Sequence, residues 1–152
     1  MFTVQTEKIV QRPIPEVFVF VADLRNASQW QSSVEEVRRL TPGSLGVDTE
    51  HVLVRRVLGR RLESQVHNTE YVPNQHFALE ADYGSFAGHV EYRFAPAHSD
   101  KSTGGDEGAT QVIYIMQFAM RGLARIAEPL LRRQIERESQ QNYVRLAEIL
   151  EK

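Results

Sequence analysis

The stretch RGLARIAEPLLRRQIERESQQNYVRLAEILEK, residues 121–152, closes the sequence and decides how the rest is read. Leu123, Ile126, Ala127, Leu130, Leu131 and Ile135 recur at the three- and four-residue spacing of one helical face, and Leu146, Ile149 and Leu150 resume it. Between these runs the same face presents Glu138 and Asn142. A carboxylate buried there without a partner would cost several kcal/mol. The spacing therefore predicts one long terminal helix whose apolar stripe turns polar in the middle. Either that middle covers a cavity, or a kink at Pro129 rotates both groups to solvent at a rim.

Working back from this helix, TQVIYIMQFAMRG (110–122) reads as a strand. Val112, Tyr114, Met116 and Phe118 share one face and Gln111, Ile113, Ile115 and Gln117 the other. The first set is bulkier and carries no amide, so it is expected to face the helix. Ile113 and Ile115 would then lie on the outer face, exposed or covered by a second copy, a mild hint of a homodimer. The polar, glycine-rich run from Pro96 to Ala109 reads as a mobile loop. FAGHVEYRFAPA and QHFALEADYGS form a hairpin about Gly84 and Ser85, and VPN (72–74) makes another turn. Two further strands meet at Gly59, and VEEVRRL (34–40) is one more. At the start, MFTVQTEKIV alternates as a strand. Pro15 and Glu16 suit the first turn of a helix in which Val17, Phe20, Val21 and Leu24 form the stripe, against the strand-like local propensity of VFVFV. Asn26 is placed to cap a short turn, ASQW. The order is strand, one or two short helices, about six strands and a long helix, an α+β domain with an antiparallel sheet.

Composition sets outer bounds. At 152 residues the chain is one domain, residues 1–152, and 41% hydrophobic with 25% charged residues is ordinary for a globular protein. The net charge of −2 and the lack of a basic stripe interleaved with aromatics argue against nucleic acid. No apolar run approaches the roughly 20 residues of a membrane span, and no secretory leader is visible, so a cytoplasmic location is expected. There is no cysteine, which removes thiolate metal sites. His51, His67, His76, His89 and His98 lack ligand spacing, and His67 and His89 fall opposite the apolar sets of their strands. No metal and no cofactor are expected. No Gly-x-Ser-x-Gly elbow or phosphate loop occurs. In the pairs Arg38–Arg39, Arg55–Arg56, Arg60–Arg61 and Arg132–Arg133, one arginine of each strand pair could point inward. An inward Arg56 is a candidate partner of Glu138 or of a ligand carboxylate, a solvated or bent strand end being the favoured reading.

Three stretches together resemble the START-like (SRPBCC) superfamily and its polyketide cyclase/dehydrase-like branch. They are Pro15–Trp30, the hairpin GRRLESQVHNTEYVPNQHFAL (59–79) and GLARIAEPLLRRQIERESQQNYVRLAEILE (122–151), with its interior Pro129. The resemblance covers essentially the whole chain. It implies the helix-grip fold, a curved antiparallel sheet of about seven strands wrapped around a long C-terminal helix, with a cavity between them and one or two short helices after the first strand. Trp30, Phe77, Leu79, Tyr92, Phe94, Val112, Tyr114, Met116, Phe118, Leu131, Ile135, Glu138 and Asn142 are the expected ligand contacts, although ordinary core packing would also place such aromatics inside. The expected function is binding of a small hydrophobic ligand, aromatic or polycyclic. The resemblance adds polyketide cyclase or aromatase activity, which works by holding a reactive chain in a folded pose. Glu138 is then the acid–base candidate and Tyr114 a donor. A lipid or quinone carrier without catalysis is one alternative, and a protein-interaction module with a vestigial cavity is another.

Overall fold

The computed structural model describes residues 2–84, 86–97 and 108–152. Strand β1, Phe2–Val10, leads into helix α1, Ile14–Ala22, a 3-10 turn, Leu24–Asn26, and the short helix α2, Ala27–Trp30. Six strands follow: β2 (Val34–Arg39), β3 (Glu50–Val57), β4 (Arg60–Val72), β5 (His76–Asp82), β6 (Phe86–Ala97) and β7 (Ala109–Met120). A second 3-10 stretch, Gly122–Ala127, precedes the long helix α3, Glu128–Leu150. The strands form one seven-stranded antiparallel sheet, ordered β1-β7-β6-β5-β4-β3-β2. Each strand from β2 to β7 thus pairs with its sequence neighbour, and β1 closes the far edge against β7. This is the expected α+β, helix-grip architecture.

Local chemistry explains the joints. The β3–β4 connection is two residues, Leu58 and Gly59, with φ of 49° and 80°. Positive φ at both central positions matches the right-handed twist of the flanking strands. Gly84, at φ 88°, turns β5 toward β6, where the Tyr83 N–H donates to the Phe86 carbonyl. Its expected companion Ser85 lies outside the described residues. Register shifts at Val34/Glu36 and Asn68/Glu70 insert bulges that bend the sheet. The expected loop from Pro96 to Ala109 is shorter at both ends: Pro96 and Ala97 still pair with Thr110 and Ala109. The residues between, 98–107, lie outside the described set.

Two helices differ in detail from their sequence reading. In α1 the prolines do start a helix, but Val17, Phe18, Val21 and Ala22 are its buried face, while Phe20 is only half-buried. Asn26 does not cap α2 through its side chain. Its amide instead donates to the Phe20 carbonyl, and Asp23 caps the preceding 3-10 turn by accepting the Arg25 N–H. The terminal helix starts at Glu128, not at Arg121. Pro129 therefore sits in the first turn, where its missing N–H is no loss, and produces no mid-helix kink. Leu123, Ile126 and Leu130, expected in the core stripe, are 87%, 81% and 60% exposed. The buried line of α3 is Leu131, Ser139, Tyr143, Leu146 and Ala147.

Candidate functional site

On the concave face, β7 points Val112, Tyr114, Met116 and Phe118 inward, all buried, with Gln117 exposed on the other side. The expected phase of this strand holds. Ile113 and Ile115 lie on the outer face as expected, but half-buried and not fully exposed.

Between this face and α3 lies a cavity of about 90 Å³, counted as space open to the centre of a water molecule. A single water needs only about 10–15 Å³ on such a measure, so the space suits a small organic molecule. The sheet side of its wall includes Leu79, Tyr92, Tyr114, Met116 and Phe118, and the helix side includes Leu131, Ile135, Glu138 and Asn142. All nine are expected contacts. The other four expected contacts are elsewhere. Phe77, Phe94 and Val112 pack beneath α1, where Phe18 meets Phe77 and Phe94 at ring-centroid distances of 5.9 and 5.1 Å. Trp30 packs edge-on against Tyr143 at 5.3 Å. All four are buried in the packed core, the three strand residues beneath α1 and Trp30 between α2 and α3.

The polar interruption of α3 now has partners. The Asn142 Oδ1 accepts the Ser32 N–H at 3.1 Å, tying the helix to the segment between α2 and β2. The Glu138 Oε1 accepts from the Gln134 amide, one turn back, at 3.0 Å. Both also line the cavity and both are partly exposed, so the polar middle of the stripe lies where the cavity meets solvent.

The more enclosed arginine is Arg55, although Arg56 also borders the cavity. Arg56 is exposed and holds Glu35 at 2.8 Å. Arg60 and Arg61 of β4 are both exposed as well. The phase of β3 was illegible because Leu53 and Val54 are both apolar and both buried, so alternation gives no cue. Arg55 donates from Nε to the Tyr83 hydroxyl (3.0 Å), from Nη1 to Ser33 Oγ (3.0 Å) and from Nη2 to Gln31 Oε1 (2.9 Å). Sequence reading chose Arg56 from the Arg55–Arg56 pair and did not place Gln31, Ser33 or Tyr83 at the site, whereas Arg55 and these three all line the cavity.

Phenols crowd this arginine. The Tyr92 and Tyr114 rings are 5.1 Å apart, and Tyr114 and Tyr143 are 5.6 Å apart. Burial pushes the Tyr92 hydroxyl up to about 12, against the opposing pull of Arg55, and raises Tyr114 and Tyr143 well above an ordinary phenol. The Tyr143 hydroxyl lies close enough to Tyr92 to couple with it electrostatically, yet makes no hydrogen bond of normal geometry. All three are neutral at physiological pH, able to donate a proton in a hydrogen bond and unable to serve as bases. Burial alone would lower the Arg55 pKa, but the surrounding phenols reverse the sign, and the guanidinium stays charged.

On the outer face, Glu80 lies between His67 and His89 at 3.6 and 3.7 Å. Among the described residues no three His, Cys, Asp or Glu side chains are grouped to hold a metal, and no helix is long and apolar enough to cross a membrane.

The family model described as polyketide cyclase/dehydrase and lipid transport matches residues 1–151. Among curated protein sequences none matches this chain. Several solved structures share its fold. A Thermus thermophilus protein is 14% identical, with 98% of this chain and 97% of that chain covered and a TM-score of 0.79. The Zhui aromatase/cyclase of a Streptomyces species is 18% identical, with 99% and 93% covered and a TM-score of 0.78. A START superfamily protein of Mycobacterium smegmatis is 10% identical, with 97% and 98% covered and a TM-score of 0.73. At such identities the likeness establishes the fold alone.

Proposed function

This chain belongs to the polyketide cyclase/dehydrase and lipid transport family, and from that premise we propose that it binds a small hydrophobic, ring-bearing molecule in the cavity beneath α3. The observation that carries this reading is the wall itself. Aromatic and aliphatic side chains from β5, β6 and β7 face a helix whose only interruption of apolar character coincides with the open space. Mostly apolar walls with a few placed polar groups are how small-molecule sites are built. The open cavity also counts against a purely protein-docking role, for which no interior space is needed.

A second reading is ring closure of a bound polyketide chain, and one observation favours it. Among the described residues Glu138 is the one carboxylate on the cavity wall, and Tyr114 shares that wall. In this reading Glu138 takes the proton and the neutral Tyr114 hydroxyl donates to the developing oxyanion, while the cavity holds the chain folded. A lipid or quinone carrier would use the same cavity without needing Glu138.

The test is a fluorescence titration with Nile red, a neutral dye that brightens in apolar surroundings, on the native protein and on Met116→Trp. The larger side chain should fill the space that Met116 borders. Saturable binding by the native protein and its loss in a folded Met116→Trp variant are expected. Undiminished binding in that variant would place the ligand elsewhere and sink the proposal.

A further inference from the structure

The cavity wall contains a positive charge that the protein does not neutralise. Arginines such as Arg25, Arg56 and Arg121 pair with Asp23, Glu35 and Asp82 at the surface, where screening makes such pairs worth little. Arg55 is partly buried on the cavity wall, and its three hydrogen-bond acceptors are all neutral oxygens, those of Tyr83, Ser33 and Gln31. It makes no ion pair with any carboxylate of the described residues. Glu138, on the helix side of the wall, is engaged with Gln134 instead. A charge partly withdrawn from water without a counter-charge is costly, and a ligand of opposite sign would offset that cost.

The geometry also leaves the guanidinium unfinished. It carries five N–H groups in a planar fork. Nε and each terminal nitrogen use one, so two N–H groups remain, one on each terminal nitrogen. Tyr83, Ser33 and Gln31 hold the fork from three sides and fix its plane. Its neighbours on the wall, Tyr92, Tyr114, Phe86 and Phe118, are flat and mostly apolar.

We propose that Arg55, held by Tyr83, Ser33 and Gln31, is a carboxylate-binding subsite of the cavity, and that the ligand is an apolar acid whose carboxylate docks on this guanidinium with its body against the aromatic wall. The assignment deepens the reading of the cavity as a small-molecule site and rests on it. It also gives Arg55 and Glu138 separate roles on the wall. Arg55 anchors the ligand's anionic end, and Glu138 is left to face the rest of the molecule. The anchoring contact is a pair of charge-assisted hydrogen bonds inside a low-dielectric cavity, where they are stronger than in water.

The test compares two probes of one shape, 2-naphthoic acid, ionised near neutral pH, and neutral 2-naphthamide, by titration calorimetry on the whole chain. The native protein should bind the acid at least about tenfold more tightly than the amide, as expected of hydrogen bonds to a charged partner. Arg55→Met should erase that preference while keeping affinity for the amide. Arg55→Lys keeps the charge but lacks the fork, so the preference should shrink severalfold. It carries the test if the methionine variant does not fold. Equal binding of both probes by the native protein overturns the carboxylate subsite and leaves the cavity reading standing. A preference that survives undiminished in either variant puts the anion elsewhere and also overturns it. Binding of neither probe overturns both readings together.

Discussion

Under α1 the concave face is filled. Val10, Val17, Phe77 and Val112 have no exposed surface, and Phe18 stands edge-on over Phe77 and Phe94. Under the first turns of α3 the same strands leave a gap. The difference begins in side-chain size along each strand. β5 places Phe77 at the packed end and Ala81 at the open end, and β6 places Phe94 at the one and Val90 and Gly88 at the other. At Gly88 a Cβ would come within 2.9 Å of the Phe118 ring, so the absence of a side chain lets that ring lie against the strand. The cover differs too. Apolar α1 brings Val17, Phe18, Val21 and Ala22 down onto the sheet, whereas α3 brings Glu138 and Asn142 over the gap. One sheet is thus close-packed at one end and open at the other, because a cavity can exist only where close packing is given up.

The largest effect should come from opening the packed end. Phe77→Ala is expected to cost about 3–5 kcal/mol in urea unfolding, as buried aromatic truncations do. A loss below about 2 kcal/mol would mean that this end can collapse and is less tightly packed than its burial indicates. Next in size is the response to one added methylene. Val112→Leu should cost about 1–3 kcal/mol by overpacking, while Val90→Leu, bordering the cavity, should cost less than about 1 kcal/mol. Equal costs for the two would erase the distinction between the ends.

The smallest effect concerns pH. His51 is fully buried near Asp23, at the end of α1, and neither ring nitrogen has a hydrogen-bond partner. Burial chiefly, with Arg39 adding to it and Asp23 opposing, holds its pKa below the ordinary 6.5. Below that pH the unfolded chain binds a proton that the native state does not. The neutral histidine therefore contributes its full stability above about pH 6.5, and that contribution is lost as pH falls toward the lowered native value. Thermal unfolding between about pH 7 and 5 should show the decline, and His51→Leu should flatten it. Asp23 and Asp82, held low by Arg25 and Arg121, add their own acid sensitivity only below their ordinary value of 3.8. A slope unchanged by His51→Leu would assign the decline to other groups.

Much of the site can be read from residue order where a pattern is uniform. β7 is legible because four large apolar residues alternate with two amides and two isoleucines, so only one phase buries the amide-free set. α3 is legible in its middle because a carboxylate and an amide one turn apart contradict a packed face. Arg55 is not legible, since the apolar Leu53 and Val54 before it are compatible with either phase. Nor is the start of α3. Leu123, Ile126 and Leu130 keep helical spacing, yet none of the described residues covers them. Periodicity reports which residues share a face and says nothing about whether another element reaches it.

The sequence by itself determined the order of elements, the antiparallel sheet, the inner face of the last strand and the presence of polar groups on the roofing helix. These follow from local periodicity and turn chemistry, which act over a few residues. Only the tertiary structure decided which inward aromatics are core and which line the cavity, and which arginine enters it. Those outcomes depend on where α1 and α3 cross the sheet and on how β2, β3 and β4 register against one another. Such relations join residues far apart in the chain, and they are set by packing volume and backbone hydrogen bonding that no short stretch encodes.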